Sequence, residues 1–158
     1  MKRTAIYAGS FDPFTNGHFD IVRRALKMFD EITILIAVSP EKKYLFSKDE
    51  RVDHLKILFK ENERVSIDSC DGLLVDYVKQ NNINAIVRGL RPTGDFEIEF
   101  QMASMNQKLN DEIETIFLMT GERYYYISSS LVKEVFQHGG DIKEFVPQVI
   151  YNELENRK

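Results

Sequence analysis

Short apolar runs alternate with helical patterns along almost the whole 158-residue chain. The first run, Thr4 to Ala8, ends in a loop with two glycines, and Gly17 to Phe29 then follows a helical spacing. Glu31 to Val38 ("EITILIAV") is a continuous apolar run, which is typical of a strand covered on both faces. Strands that alternate with helices form right-handed βαβ units, so the pattern predicts a doubly wound parallel sheet with helices on both faces.

The remaining segments continue this alternation. Ser47 and Glu50 have the spacing of a capping box and predict the start of the second helix. Further strands are expected at Val65 to Ser69, Ala85 to Arg88 and Thr115 to Met119, and further helices at Leu73 to Gln80, Asp95 to Leu109, Ser129 to His138 and after Pro147. The sequence therefore predicts a Rossmann-like α/β fold with five parallel strands, in which ligands bind beyond the carboxyl ends of the strands.

Length and composition narrow the class of protein. With 43% hydrophobic residues, the chain is expected to fold as one domain over residues 1–158. The 25 acidic and 21 basic residues give a net charge of −4, which argues against a nucleic-acid-binding surface. The sequence contains no long apolar span that would indicate a membrane segment and no signal-like start that would indicate secretion. The single cysteine, Cys70, has no partner for an internal disulfide. These features predict a cytoplasmic protein.

The loop after the first strand reads AGSFDPFTNGHFDIV over residues 8 to 22. Its glycines and Pro13 would suit a tight strand-to-helix turn in which His18 only closes the turn or packs. Alternatively, the loop gathers backbone N–H groups, a hydroxyl and an imidazole around a phosphate at the start of a helix, where free N–H groups favour anions. Gly17 immediately before His18 at a helix start favours the phosphate site.

Three other strand-to-helix loops carry groups that bind phosphate. Lys42 follows the second strand, Arg88 and Arg91 follow the fourth, and serines 128 to 130 lead into the fifth helix. Each has a plainer explanation, such as a solvated lysine, as expected for Lys43, or a helix cap that uses one serine. Two guanidinium groups in one loop and three consecutive serines exceed what these explanations require.

Two common phosphate motifs are absent from the sequence. There is no Gly-x-Gly-x-x-Gly, and the match from Gly89 to Gly94 continues with Asp95 instead of Lys-Ser or Lys-Thr. Neither a dinucleotide fingerprint nor a P-loop is therefore indicated. Two other histidines are interpreted as structural: His54 is expected on the polar face of its helix, and His138 precedes a helix-ending Gly-Gly pair.

The four loops together resemble the nucleotidyltransferase superfamily with the T/HxGH signature. This resemblance is carried by GSFDPFTNGH (9–18), RGLR (88–91), DFEIEFQMASMN (95–106) and ISSSLVKE (127–134). RGLR followed by DFE is similar to the bacterial phosphopantetheine adenylyltransferase family, and the similarity runs almost end to end. The resemblance implies transfer of an adenylyl group from ATP to 4′-phosphopantetheine, with dephospho-coenzyme A and pyrophosphate as products and Mg²⁺ as cofactor. It also implies a homohexamer and feedback inhibition by coenzyme A.

The resemblance further implies the roles of individual residues. His18 would stabilise the transition state, with Lys42 and Arg91 as further catalytic groups. The residues implied to bind the acceptor are Ser10, Lys42, Leu74 and Arg88. Those implied to bind ATP are Ser10, Phe11, His18, Gly89, Leu90, Arg91, Glu99, Tyr124, Tyr125, Tyr126, Ile127, Ser128, Ser129 and Ser130.

The chemistry of such a reaction suits these residue types. The attacking phosphate of the acceptor is already ionised at neutral pH, so no general base is needed, and the enzyme mainly aligns the reactants and neutralises charge. His18, in a first helical turn, would donate a hydrogen bond as negative charge builds on the α-phosphate. Asp12 and Asp95 are interpreted as turn and cap residues, so Mg²⁺ would be held mainly by the phosphates of ATP, with no protein metal site.

Two other functions share parts of this pattern. A cytidylyltransferase or a nicotinate mononucleotide adenylyltransferase would have the same first loop, but neither explains RGLR. A non-catalytic nucleotide-binding regulator on the same fold should have lost His18 or Lys42, and both are present. These functions remain the alternatives to adenylyl transfer.

Overall fold

The fold is described by a computed structural model that covers residues 2–83 and 85–157. Within these residues, five strands form one sheet: β1 (Thr4–Gly9), β2 (Glu31–Ala37), β3 (Val65–Cys70), β4 (Ala85–Leu90) and β5 (Glu114–Met119). The α-helices are α1 (Asn16–Ala25), α2 (Lys48–Phe59), α3 (Leu74–Gln80), α4 (Asp95–Leu109), α5 (Ser129–Gln137) and α6 (Gln148–Glu155). None of the described helices is long and apolar enough to cross a membrane.

The strand order is β3-β2-β1-β4-β5, and all neighbouring strands are parallel. The register places Tyr7 of β1 beside Ile34 of β2 and Val87 of β4. Strand order reverses between β1 and β4, so the loops that follow these two strands leave the same edge of the sheet at the switch point. This topology confirms the predicted doubly wound, five-stranded parallel sheet.

Helices cover both faces of the sheet. Successive residues of a strand point to opposite faces, and in β1 Tyr7 packs in the core beneath α1 and α2, whereas Ile6 packs in the core beneath α3. Ile21 of α1 belongs to the first core and Val75 of α3 to the second. The central strand is thereby buried on both sides, which explains its continuous apolar sequence.

The helix starts follow the sequence signals, but the end of α1 does not. Thr15 and Ser47 each cap a helix with a capping box, as the spacing of Ser47 and Glu50 predicts. The prediction that the first helix extends to Phe29 is wrong, because α1 ends at Ala25. The amides of Lys27 and Met28 donate to carbonyl oxygens three residues back, so the chain tightens into turns there while Phe29 still reaches the core.

The predicted polar position of His54 is also wrong. Its side chain is buried, and its ring meets the Phe46 ring edge-on at a centroid distance of 4.7 Å. Helix α2 packs against α6 as well as against the sheet, so a second side of α2 is covered by chain that lies far away in sequence. Burial lowers the pKa of His54, which favours the neutral imidazole.

Helix α4 begins and ends where the sequence predicts, yet its apolar residues remain exposed. The structure describes all of its residues, and none is buried. Six of its large apolar side chains are exposed and are here together called the α4 apolar surface: Phe96, Ile98, Phe100, Met102, Met105 and Leu109, each between 47% and 63% exposed. A helix of a soluble fold normally buries its apolar stripe, so this surface is a candidate interface.

Candidate active site

A polar cavity of about 560 Å³ lies at the carboxyl ends of the strands. Its walls come from the loops after β1, β2 and β4 and from the N-terminus of α5. Most of the site residues expected from the sequence line it: Ser10, Phe11, His18, Lys42, Arg88, Gly89, Arg91, Glu99, Ile127, Ser128, Ser129 and Ser130. The parallel topology thus brings together residues that lie more than a hundred positions apart in the chain.

Five other expected residues do not line this cavity: Leu74, Leu90, Tyr124, Tyr125 and Tyr126. Leu74 begins α3 and packs against the core on that face of the sheet. The Leu90 carbonyl oxygen accepts the Thr120 amide at 2.8 Å, which joins the ends of β4 and β5. Tyr124 ends a short 3₁₀ helix (Glu122–Tyr124) near Gly17. Their roles in ligand binding remain predictions.

His18 is held in one orientation by the residue that caps its helix. Its Nδ1 accepts the Thr15 backbone N–H at 3.0 Å, and its own backbone N–H donates to Thr15 Oγ1 at 3.3 Å. The Phe11 and Phe14 rings contact the imidazole at centroid distances of 5.1 and 5.3 Å. Because Nδ1 is an acceptor, the proton of the neutral ring is assigned to Nε2. His18 therefore offers one N–H donor at the helix N-terminus.

The surroundings keep this imidazole neutral. Burial, together with the nearby charges of Arg91 and Arg88, lowers the pKa of His18 to about 3. A neutral histidine donates a hydrogen bond without adding a full charge. The positive charge of the site comes instead from the lysines and arginines that line the cavity and from the N-termini of α1 and α5, whose first turns contain no acidic residue.

Carboxylates of α4 orient the two arginines of the RGLR segment. Arg88 donates to both Glu99 oxygens, at 2.7 and 2.6 Å, and also to the Ala8 carbonyl oxygen. Arg91 donates to both Asp95 oxygens, at 2.9 and 3.1 Å. Such two-point pairs fix the plane of a guanidinium group. Arg88 and Arg91 are therefore positioned at the cavity wall, and Asp95 has an arginine partner in addition to its place in the first turn of α4.

Gly89 lies between these groups for a reason of packing. A Cβ atom at this position would lie 3.1 Å from Ile21 Cγ1, so the absence of a side chain lets α1 pack closely on β4. The expectation that Gly89 lets the backbone approach a ligand is compatible with its place in the cavity lining. The close approach that the structure describes, however, is that of a helix.

Lys42 and Ser10 meet although they come from different loops. Lys42 Nζ lies 3.5 Å from Ser10 Oγ, and both side chains line the cavity. Lys43, which the sequence suggests is an ordinary solvated lysine, is exposed and also lines the cavity. A mobile ammonium group beside a hydroxyl is suited to bind a phosphate that enters from solvent.

The three consecutive serines have three different environments. Ser128 is the N-cap of α5 and accepts the Leu131 N–H at 3.1 Å. Ser129 Oγ donates to the Pro13 carbonyl oxygen at 2.8 Å, which ties α5 to the first loop. Ser130 is exposed at the cavity. Capping alone thus accounts for one of the three, as the sequence indicates.

Lys133 and Tyr44 line the cavity but are missed by sequence reasoning. Lys133 Nζ lies 3.2 Å from Asp12 Oδ2, whose carboxylate also accepts the amides of Leu45 and Phe46. Lys133 lies four residues after Ser129 on α5 and so shares its helix face, which is a signal the sequence contains. Asp12 lies in a turn, as the sequence indicates, and its carboxylate also joins the first loop to two other segments.

The described residues do not form a metal site of their own. No group of three or more His, Cys, Asp or Glu among them could hold a metal ion. The acidic side chains that line the cavity are engaged with cationic partners: Asp12 with Lys133, Asp95 with Arg91 and Glu99 with Arg88. This donor set does not fit a cation held by protein side chains alone.

Comparisons with known proteins show the family of this chain. Residues 6–135 match the family model described as cytidylyltransferase-like. The chain is 50% identical to "Phosphopantetheine adenylyltransferase" of Desulfatibacillum aliphaticivorans over 99% of this chain and 90% of that protein. It is 51% identical to the protein of the same name from Caldanaerobacter subterraneus subsp. tengcongensis, over 96% and 95% of the two chains. This chain therefore belongs to the phosphopantetheine adenylyltransferases within the cytidylyltransferase-like family.

Proposed function

We propose that the chain reversibly transfers the adenylyl group of ATP to 4′-phosphopantetheine, which yields dephospho-coenzyme A and pyrophosphate in coenzyme A biosynthesis. The observation that carries this proposal is one cavity in which His18, Lys42 and Arg91 converge at the switch point of the sheet. Family membership supports the substrate class, because the relatives at about 50% identity are named for this reaction.

The proposed step is a direct displacement without a covalent enzyme intermediate. A phosphate oxygen of the acceptor attacks the α-phosphorus of ATP, and the bond from that phosphorus to the oxygen that bridges it to the β-phosphorus breaks. Pyrophosphate leaves with the electron pair. Because the nucleophile is already an anion, the cavity has to align two anionic groups and to offset their repulsion.

The acceptor phosphate is assigned to Ser10, Lys42 and Arg88. Lys42 and Ser10 lie close enough to share one phosphate group, and Arg88 is oriented beside them by Glu99. The triphosphate is assigned to Arg91 and to the N-terminus of α5, where Ser130 is exposed. His18, at the start of α1, would then donate from Nε2 to an α-phosphate oxygen as charge builds there.

We propose that the nucleotide enters as its magnesium complex. The cation would be carried by the phosphates of ATP, because the acidic residues that line the cavity are already in ion pairs. When bound, it would neutralise charge on the departing pyrophosphate.

Coenzyme A is proposed as a feedback inhibitor at the same cavity, since it contains the whole product scaffold. We place the reaction in the cytoplasm, in line with the free cysteine, Cys70.

A panel of nucleotides and acceptors tests the proposed reaction. With ATP and Mg²⁺, 4′-phosphopantetheine should release pyrophosphate and give a product of the mass of dephospho-coenzyme A. Unphosphorylated pantetheine should give no adenylylated product, because the attacking atom must be a phosphate oxygen. The readouts are a pyrophosphate assay and mass spectrometry of the products.

Matched alternatives in the same panel decide against other functions. Turnover of CTP with a phosphorylated alcohol, or of ATP with nicotinate mononucleotide, at the rate of the proposed pair would contradict the acceptor assignment. Nucleotide binding without pyrophosphate release from any pair would favour the non-catalytic regulator. Adenylylation of pantetheine as fast as of its phosphate would remove the assigned role of Lys42 and Arg88.

We also propose that the chain assembles as a homohexamer in which copies cover the α4 apolar surface. Exposed apolar side chains in such number on one helix are typical of an interface. Sedimentation velocity should give the mass of six chains, and Ile98→Lys, at a 63% exposed position, should shift the chain to smaller species without loss of fold. A monomer at micromolar concentration would contradict the assembly.

A further inference from the structure

Arg51, on α2, is a buried charge that the proposed reaction does not use. Its side chain is 2% exposed, Nη1 donates to the Ser10 carbonyl oxygen at 2.7 Å, and Nε donates to the Ser47 carbonyl oxygen at 3.3 Å. No Asp or Glu of the described residues forms an ion pair with it. A buried guanidinium usually has a carboxylate partner. Arg51, in contrast, is held by carbonyl oxygens and by an aromatic ring alone.

The aromatic ring belongs to Tyr44, in the loop that carries Lys42. The centre of the Arg51 guanidinium lies 4.1 Å from the Tyr44 ring centroid, which is cation–π geometry. Tyr44 Oη in turn accepts the Ser39 backbone N–H at 2.7 Å, at the start of the same loop. Arg51 therefore contacts the β1–α1 loop at Ser10 and braces the β2–α2 loop through Tyr44.

These two loops supply the two groups that meet across the acceptor side of the cavity. Ser10 Oγ and Lys42 Nζ lie 3.5 Å apart, and neither loop has a regular strand or helix to fix this separation. We propose that Arg51 is a positioning residue for the acceptor phosphate, which acts by holding the Ser10 backbone and the Tyr44 ring so that Ser10 and Lys42 face each other. This inference rests on the proposed function, because it assumes that these two groups bind the acceptor.

Arg64 provides a matched control elsewhere in the molecule. It also donates to backbone carbonyl oxygens, those of Asp30 at 2.9 Å and Phe29 at 2.7 Å, but it lies at the amino ends of the strands, opposite the cavity. Arg51 and Arg64 thus make the same kind of contact at opposite ends of the sheet. Arg64 is exposed, whereas Arg51 is buried, so Arg64→Met controls for the loss of arginine contacts to backbone carbonyl oxygens away from the loops of the site.

Steady-state kinetics with both substrates varied separates positioning from stability. Arg51→Met is expected to raise the KM for 4′-phosphopantetheine about tenfold and the KM for ATP by a smaller factor, because both Ser10 and Lys42 are assigned to the acceptor and only Ser10 is also implied to bind ATP. Arg51→Lys should recover part of the loss, since an ammonium can donate to the Ser10 carbonyl oxygen but does not stack as a plane on Tyr44. Arg64→Met should lower the melting temperature and leave the ratio of the two KM values unchanged.

Tyr44→Leu keeps the test decisive if Arg51→Met fails to fold. It removes the ring from a partly exposed position and should raise the acceptor KM about threefold, in line with the loss of a cation–π contact. An unchanged ratio of KM values in Arg51→Lys and Tyr44→Leu, or an equal rise of both KM values, would overturn the role of Arg51. An unsubstituted chain that leaves 4′-phosphopantetheine unreacted would instead overturn the proposed function, and the role of Arg51 with it.

Discussion

His18→Ala is expected to lower turnover about 10²- to 10³-fold, while the affinity for ATP changes far less. The reason is the geometry of one nitrogen. Thr15 fixes Nδ1 as an acceptor, so Nε2 is left as the donor, and a donor aimed at developing charge contributes more in the transition state than in the ground state. Single-turnover rates and calorimetric ATP titrations measure the two quantities separately.

His18→Gln is the matched control for the loss of the donor. A glutamine amide can place an N–H near the position of Nε2, so part of the rate should return, whereas removal of a packed ring alone would affect Ala and Gln variants alike. His18→Ala loses the capping-box contact to the Thr15 amide, which should cost about 1 kcal/mol of stability, whereas the Oε1 atom of Gln at this position can still accept that N–H. Near-normal turnover in His18→Ala would leave Lys42 and Arg91 as the sources of charge stabilisation.

The pH dependence of the rate tests the same assignment. The His18 pKa of about 3 lies below the ordinary value of 6.5, so the imidazole is neutral on the whole working range of the assay. Titration of His18 should therefore cause no rise or fall of the rate between about pH 5 and pH 9. A cationic donor would behave in the opposite way and would lose rate as the pH rose through its pKa. A basic limb that disappears in His18→Gln would contradict the neutral donor.

The fold was predictable because burial on both faces leaves a strong signal in the sequence. The apolar runs of β1 and β2 and the capping box at Ser47 depend on residues close in sequence. The end of α1 and the burial of His54 were not predictable, because they depend on where the chain turns back and on contacts with a distant helix. The spacing of apolar residues indicates which face of a helix packs on the sheet. It does not indicate that a second face is covered by another helix.

The position of the site followed from topology, and its internal contacts did not. Parallel strands bring their carboxyl ends to one edge, so His18, Lys42 and Arg91 could be expected to meet. Arg51 donates to the carbonyl oxygen of Ser10, which lies 41 residues away, and Asp12 accepts the amide of Leu45, which lies 33 residues away. No local sequence pattern marks such pairs. Leu74 is expected in the site from the family resemblance alone; it packs against the core and does not line the cavity, so its role in binding stays a prediction.

Asp12→Ala is expected to lower the free energy of unfolding by about 3 to 5 kcal/mol, because it leaves several partners of a buried carboxylate without an acceptor. Asp12 is 3% exposed, and its oxygens accept the amides of Leu45 at 2.7 Å and Phe46 at 2.9 Å and pair with Lys133 at 3.2 Å. The substitution therefore separates the first loop from the segment before α2 and from α5. Urea unfolding measures this loss of stability, and the slope of the free energy of unfolding against urea concentration should be unchanged.

Asp71→Ala is the matched control, because it removes the same charge from an exposed ion pair. Asp71 lies 2.8 Å from Lys48 Nζ, but its side chain is 66% exposed, so its removal should cost less than about 1 kcal/mol. Asp12→Asn should fall between the two, since its amide keeps one acceptor oxygen for two backbone N–H groups. Equal losses in Asp12→Ala and Asp71→Ala would mean that Asp12 contributes only as a charge. A large loss confined to Asp12→Ala, with turnover also reduced in the molecules that remain folded, would mean that one carboxylate holds together the loops of the site.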